Sequence, residues 1–160
     1  MFFWFCGTSL LAVWLGFKDP AIDHRLVVLG ALLPDLIDLP LGGARVAHSV
    51  VFPVTVLVVV MLATRGRRRL RRNLVMVAVG LFLHLVFDGG LGDARVFWWP
   101  FSGLSVPDAR LPVVERGWWN MPLEAAGLAM CAWLWRRFGL RDPQRRRLFW
   151  RTGRLDRSVV

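Results

Sequence analysis

Residues 30–49 read GALLPDLIDLPLGGARVAHS, and how this stretch is read decides the fold. It is apolar enough to finish a membrane helix, yet it carries Asp35 and Asp38 and closes on His48. A charged side chain near a bilayer centre costs about 2.5–3.5 kcal/mol even on lenient insertion scales, so such residues usually face a protein interior or do a job. Pro34 and Pro40 interrupt the apolar run, so Leu26 to Leu41 reads as a span that is short or broken at Pro34.

Four longer apolar stretches flank it: Met1 to Phe17, Val46 to Ala63, Leu74 to Leu91 and Trp118 to Leu134. Each is near the roughly 20 residues that a spanning helix needs. The composition, 56% hydrophobic with a mean hydropathy of +0.48, nine Trp and eleven Phe, is too apolar for an ordinary soluble domain of this length. The expectation is an all-α, polytopic membrane bundle of about five transmembrane helices over residues 1–135, followed by a basic cytoplasmic tail over 136–160. Met1 to Phe17 has no basic leading region and no small-residue cleavage pattern before Lys18, so it is expected to stay as the first helix. Cys6 and Cys131 both fall in apolar segments and read as small packing residues, with neither a disulfide nor a CxxC metal site.

The net charge of +10 is unevenly placed. RGRRRLRR at 65–72 and the segment from Arg136 to Arg157 hold most of the arginines. Basic runs can mark a nucleic-acid surface, but runs that abut hydrophobic spans and lack interleaved aromatics follow the positive-inside bias instead. With both runs cytoplasmic, parity puts the N-terminus outside and the C-terminus inside a multi-pass plasma-membrane protein, with membrane lipids as partners and anionic headgroups near Arg65 to Arg72 and the C-terminal tail. Twenty arginines against one lysine suggest a bacterial source of high GC content, hence the bacterial inner membrane.

On this topology the polar residues gather on the side opposite the arginines. Asp35 and Asp38 fall in the outer half of the second helix, and His48 falls at the outer start of the third. His84 and Asp88, in LFLHLVFDGG, lie in the outer half of the fourth helix, and Asn120 and Glu124, in WWNMPLEAAG, at the start of the fifth. The spacings of three and four residues place Asp35 with Asp38, and His84 with Asp88, on common helix faces. Facing helices of a bundle build core metal sites from such pairs. A bound divalent cation would offset the burial of the carboxylates, and protonation or pairing with Arg45, Arg95 or Arg116 would offset part of it. Taken singly, Asp38 can be a helix terminator and His48 an interfacial residue, while His24 reads as an ordinary loop residue on the inner side.

The order PDLID, AHS, HLVFDGG, FWWPFSG over residues 26–103 resembles the YdjM-like family of predicted membrane-bound metal-dependent hydrolases. The resemblance implies a short bundle of membrane helices in which Asp35, Asp38, His48, His84 and Asp88 are metal ligands or their immediate neighbours. Two features of the family pattern are absent: GTSLLAVW at 7–14 lacks the usual first-helix histidine, and GARVAHS lacks the first histidine of an HRGxTHS motif. The working assignment takes His48, His84 and Asp88 as metal ligands, with Asp35 as a fourth ligand or bridge. Asp38, or Glu124, which is not part of the family pattern, takes the catalytic task of orienting water or acting as base. The mixed nitrogen and oxygen set suits zinc, manganese or iron. The expected function is metal-dependent hydrolysis of a lipid ester or phosphodiester at the outer leaflet. The alternatives are a non-catalytic membrane scaffold, in which the polar cluster only locks packing, and a proton or cation transporter. VFWWPFSGLSV at 96–106 reads as an interfacial aromatic belt or a pocket cap, and 104–117 as an outer loop able to serve as a lid.

Overall fold

The computed structural model describes residues 1–89, 93–106 and 109–159. Gly90 and Leu91, at the expected end of the fourth apolar segment, and Pro107 and Asp108, in the expected lid loop, lie outside the described residues. The described chain is all-helical. Five principal helices answer to the five apolar stretches: α1 (Phe2–Phe17), α2 (His24–Asp38), α3 (Val51–Ala63), α4 (Arg68–Phe87) and α7 (Asn120–Arg137). Two short helices, α5 (Ala94–Phe97) and α6 (Pro112–Glu115), lie between α4 and α7, and α8 (Pro143–Thr152) follows them.

The boundaries depart from the hydropathy reading in ways that have local causes. α4 begins six residues before the apolar stretch, because arginine is a good helix former whatever its hydropathy. α3 begins at Val51 rather than Val46: Val46–His48 forms a separate 3-10 turn, Ser49 is extended, and the Val50 N–H donates to the Phe97 carbonyl at 2.9 Å. α2 runs through Pro34 without a break, with Pro34 buried inside it, so the expected interruption is corrected. Proline removes one intrahelical bond, and the packing of α2 against α4 holds the helix on either side of it.

Length is the second correction. Among the described residues only α4 is long and apolar enough to cross a membrane by itself; α1 and α3 are apolar but shorter, so five full spans are not what this fold displays. At 1.5 Å per residue the 13 residues of α3 extend about 20 Å.

Two glycine contacts draw the bundle together. A Cβ on Gly30 of α2 would fall 2.2 Å from the Val77 carbonyl oxygen, and one on Gly80 of α4 would fall 2.3 Å from that of Val27, so the two backbones touch where they cross. Gly127 of α7 meets the backbone of Phe3 and Trp4 in α1 in the same manner. Small residues at crossings are how helices pack closely where no hydrophobic force acts between them. The α2–α4 crossing matters most for function, because it fixes the ends of these two helices relative to one another.

The segment read as a basic tail is folded onto the bundle. Phe149, Leu155 and Val159 are buried with Leu134, Phe138 and Leu140, against Leu10, Leu11 and Trp14 of α1. The inner histidine is part of this seam and not a loop residue: His24 is buried, its Nδ1 lies 3.0 and 3.1 Å from the Ile22 and Gly153 carbonyls, and its backbone N–H also donates to Gly153. Beside it the Asp23 carboxylate caps α2 and takes two bonds from the Arg25 guanidinium, whose Nη1 donates to the Trp150 carbonyl. Burial opposes ionisation of Asp23, but the Arg25 guanidinium outweighs it and holds this carboxyl below the ordinary carboxylate range.

Candidate metal centre

At the other end of the bundle the α2–α4 crossing brings Asp35, near the C-terminal end of α2, beside His84, in the last turn of α4. The chain leaving α2 turns through Leu39–Leu41 and Gly42, and an antiparallel bridge from Ala44 to Ala109 anchors the loop. The following 3-10 turn then delivers His48 to the same place. The two imidazoles lie with ring centroids 5.3 Å apart, and Phe5 of α1 covers His84 at 4.1 Å.

Each imidazole is held from behind. His48 Nδ1 lies 2.7 Å from Asp38 Oδ2, which also accepts from the Arg45 backbone N–H at 2.8 Å. His84 Nδ1 lies 2.7 Å from the Ala31 carbonyl oxygen. Carboxylate and carbonyl oxygens only accept, so in the neutral rings both Nδ1 atoms carry the proton and both Nε2 atoms present a lone pair. Those two Nε2 atoms are buried and have no hydrogen-bond partner among the described residues, and neither has Asp88 Oδ2.

All of these bare acceptors converge. Asp35 Oδ1 is 3.5 Å from His48 Nε2 and 3.6 Å from His84 Nε2. Asp88 Oδ2 is 3.9 and 4.0 Å from the same two nitrogens. These separations are long for hydrogen bonds; those to Asp35 match the edges of a metal's ligand shell, and those to Asp88 are longer. Nitrogen and oxygen ligands about 2.0–2.2 Å from a tetrahedral ion stand roughly 3.3–3.6 Å apart. Asp35, His48 and His84 form a group able to hold a metal ion. With both rings neutral, the arrangement sets lone pair against lone pair inside a buried pocket, which a bound cation or a proton would relieve.

The remaining expected residues take different places. Asp88 points one oxygen toward the imidazoles, while its Oδ1 and its carbonyl accept from Arg116 Nη2. Asp38 is buried, with its Oδ2 taken up by the His48 imidazole and the Arg45 amide. Glu124 is half-buried on α7, where Oε2 accepts from the Phe3 backbone N–H at 2.8 Å and Oε1 lies 4.0 Å from the Met1 nitrogen; that nitrogen is 3.8 Å from Asp35 Oδ2. Asn120 donates to the Val113 carbonyl, outside the cluster. The Ala31 carbonyl that orients His84 is a backbone group with no signal in the sequence.

Asp35, with about a quarter of its side chain exposed, is the open side of an otherwise buried group. Apolar residues surround this end of the molecule: Trp98, Phe101 and Leu104 on one segment and Val114, Trp118 and Trp119 on the other are all exposed. Comparison with family models, with curated proteins and with solved structures yields no match to this chain.

Proposed function

We propose that the chain is a membrane-embedded, metal-dependent hydrolase whose substrate is an amphiphilic ester or phosphodiester reached at the outer membrane face. The observation that carries this reading is the pair of buried, unbonded Nε2 atoms converging with Asp35 Oδ1, each ring fixed by its Nδ1 bond. Asp35, His48 and His84 hold the ion, and Asp88 completes the set or bridges to it. Such an ion, zinc or manganese by its ligands, supplies Lewis acidity that acidifies water and polarises the substrate oxygen.

The chain's own residues have distinct tasks. Asp38 orients His48 and raises its basicity, as carboxylates behind ligand histidines do, and this places it as a positioning residue instead of the base. Glu124, the acid nearest the open side, is the candidate base. Arg116 holds Asp88 and stands close enough to the cluster to neutralise an anionic substrate group.

Membrane placement is part of the proposal. α3 buries only Pro53 and exposes Val54, Leu57, Val58, Val59 and Leu62, so it is apolar on nearly every side. A helix of that kind is stable only where its surroundings are apolar as well. Short helices such as α1 and α3 are accommodated by local thinning of the bilayer. The likeness of residues 26–103 to the YdjM-like family adds support from sequence. The multi-pass inner-membrane topology, with the arginine-rich end cytoplasmic, follows from the charge bias.

The scaffold alternative leaves the unpartnered ring nitrogens unexplained, and the transporter alternative requires ionisable groups along α2 and α4, where residues 26–34 and 74–83 carry none. Elemental analysis of detergent-purified protein tests the proposal. Close to one transition-metal ion per chain is expected, with loss in His84→Ala and Asp35→Asn. Metal-free wild-type protein that takes up no zinc or manganese on titration would overturn it.

A further inference from the structure

The arginine-rich end carries a second feature that the metal centre does not use. Between the end of α1, the 18–23 loop, α3 and α4 lies a cavity of about 460 Å³ with Phe17, Ile22, Met61 and Met76 in its wall, Arg68, Arg71 and Arg72 beside them, and Asp19 as its one acid. A wholly apolar groove of about 360 Å³ shares Phe17 and Val75 with it and runs along α3 and α4 past Leu57 and Val79 to Phe82. Each volume is within the range of about 300–1,000 Å³ typical of ligand sites. Arg68, Arg72, Val75, Val79 and Phe82 recur at three- and four-residue intervals, so one face of α4 changes from cationic to apolar over about 20 Å.

Two observations indicate that the cationic part, three arginines against the single Asp19 carboxylate in the lining, is only partly neutralised. α4 opens on arginines with no acidic residue in its first turn and no side-chain cap, which places positive charge at the positive end of the helix dipole. Arg72 Nε is buried without an acceptor among the described residues, and Asp19 stands 4.0 Å from Nη1 as a partly exposed pair.

We propose that this continuous groove binds an anionic diacyl phospholipid, with the phosphodiester against Arg68, Arg71 and Arg72 and one acyl chain lying along Leu57, Val79 and Phe82. Charge complementarity selects the headgroup, and the apolar floor that continues from it selects a chain over a free anion. Basic pockets between membrane helices on the cytoplasmic side recognise anionic lipids by this chemistry. The inference rests on the membrane placement proposed above and is independent of the metal centre.

The test uses the full chain in a neutral alkyl maltoside detergent, equilibrated with equal amounts of phosphatidylglycerol and phosphatidylcholine. Retained lipid is counted by native mass spectrometry. The expected result is at least tenfold enrichment of phosphatidylglycerol, abolished in the triple variant Arg68→Gln/Arg71→Gln/Arg72→Gln. The enrichment persists in Arg145→Gln/Arg146→Gln/Arg147→Gln, which removes the same charge from α8. Leu57→Trp, which fills the apolar groove from an exposed position, lowers lipid retention while the arginines remain, and inorganic phosphate does not displace the lipid.

Equal loss in the two triple variants would reduce the effect to diffuse surface charge and overturn the proposal, as would full retention in Leu57→Trp or displacement by phosphate or by an oligonucleotide. Insertion of the wild type into neutral phosphatidylcholine vesicles is measured in parallel. Failure there refutes the membrane placement, whereas intact insertion without headgroup preference refutes the lipid site alone.

Discussion

Asp38→Asn separates a ligand from a residue that holds a ligand. In the native arrangement Asp38 Oδ2 accepts from His48 Nδ1 at 2.7 Å and from the Arg45 amide at 2.8 Å, in a side chain that is 1% exposed. Asparagine keeps one acceptor oxygen in the same place, so the His48 ring keeps a neutral hydrogen bond and its Nε2 still faces Asp35. What is lost is the charge, and a charge-assisted bond is roughly twice as strong as a neutral one. Removal of such a partner behind a metal histidine typically costs about 10–100-fold in affinity, which is about 1.4–2.7 kcal/mol.

Zinc titration of chelator-stripped protein against a competing fluorescent chelator measures this directly. The dissociation constant of Asp38→Asn is expected to rise by about 10–100-fold, with circular dichroism unchanged. On the proposed assignment Asp35→Asn replaces a direct ligand, and it is expected to lose more. Two results would refute the reasoning. Wild-type affinity in Asp38→Asn would mean that the carboxylate charge does not reach the metal through His48, and loss as complete as in Asp35→Asn would make Asp38 a ligand itself.

The helix crossings give a second separation. Gly30→Ala drives a methyl group into the Val77 carbonyl, 2.2 Å away, and Gly127→Ala drives one into the backbone at Trp4, 2.3 Å away. Overpacking of this kind costs about 1–3 kcal/mol, so both variants are expected to melt earlier. Only Gly30→Ala, on the helix that carries Asp35, should also weaken zinc binding in the same titration. The Asp23–Arg25 pair gives a pH dependence: because the folded-state carboxyl is held below its unfolded value of about 3.9, its contribution is present above pH ~4 and is lost as pH falls through the folded value. Thermal melts of metal-free protein from pH 7 to pH 3 should therefore show Asp23→Asn less stable at neutral pH, with a shallower acid loss than the wild type. Parallel acid profiles would count against this.

The sequence made the helices legible where their exposure in the fold is simple. α3 is apolar on nearly every side and is found where hydropathy places it, apart from its first turn. α4 was recognised by its apolar part only, because hydropathy does not register that arginines continue a helix. Of the two expectations for the second helix, short or broken at Pro34, only the break fails, for a related reason: the local penalty of a proline is visible in sequence, while the crossing at Gly30 and Gly80 that holds α2 together is a long-range contact. Among the site residues, the spacing of His84 and Asp88 and the pair of acids in PDLID were sufficient to nominate the cluster. Their division of labour was not legible. It depends on which ring nitrogen meets which oxygen, and one of those oxygens belongs to the backbone of Ala31. Arg116 was foreseen only as one of three possible partners, since nothing in its own neighbourhood marks it as the residue that reaches Asp88.

The geometry also constrains what kind of protein would keep such a cluster. Helix packing alone is served by apolar contacts, and the crossing at Gly30 and Gly80 already joins α2 to α4 by backbone contact. A polar network kept for stability would be expected to satisfy its members, since a buried polar atom without a partner costs about 1–3 kcal/mol. Here the partners are supplied at the back of each ring and withheld at the front: both Nδ1 atoms are bonded and both Nε2 atoms are bare. That asymmetry is the pattern of histidines arranged to receive a cation. It assigns the cost of those unpartnered nitrogens to the metal-free protein, so zinc at saturating concentration should raise the melting temperature of the wild type and leave that of His84→Ala unchanged.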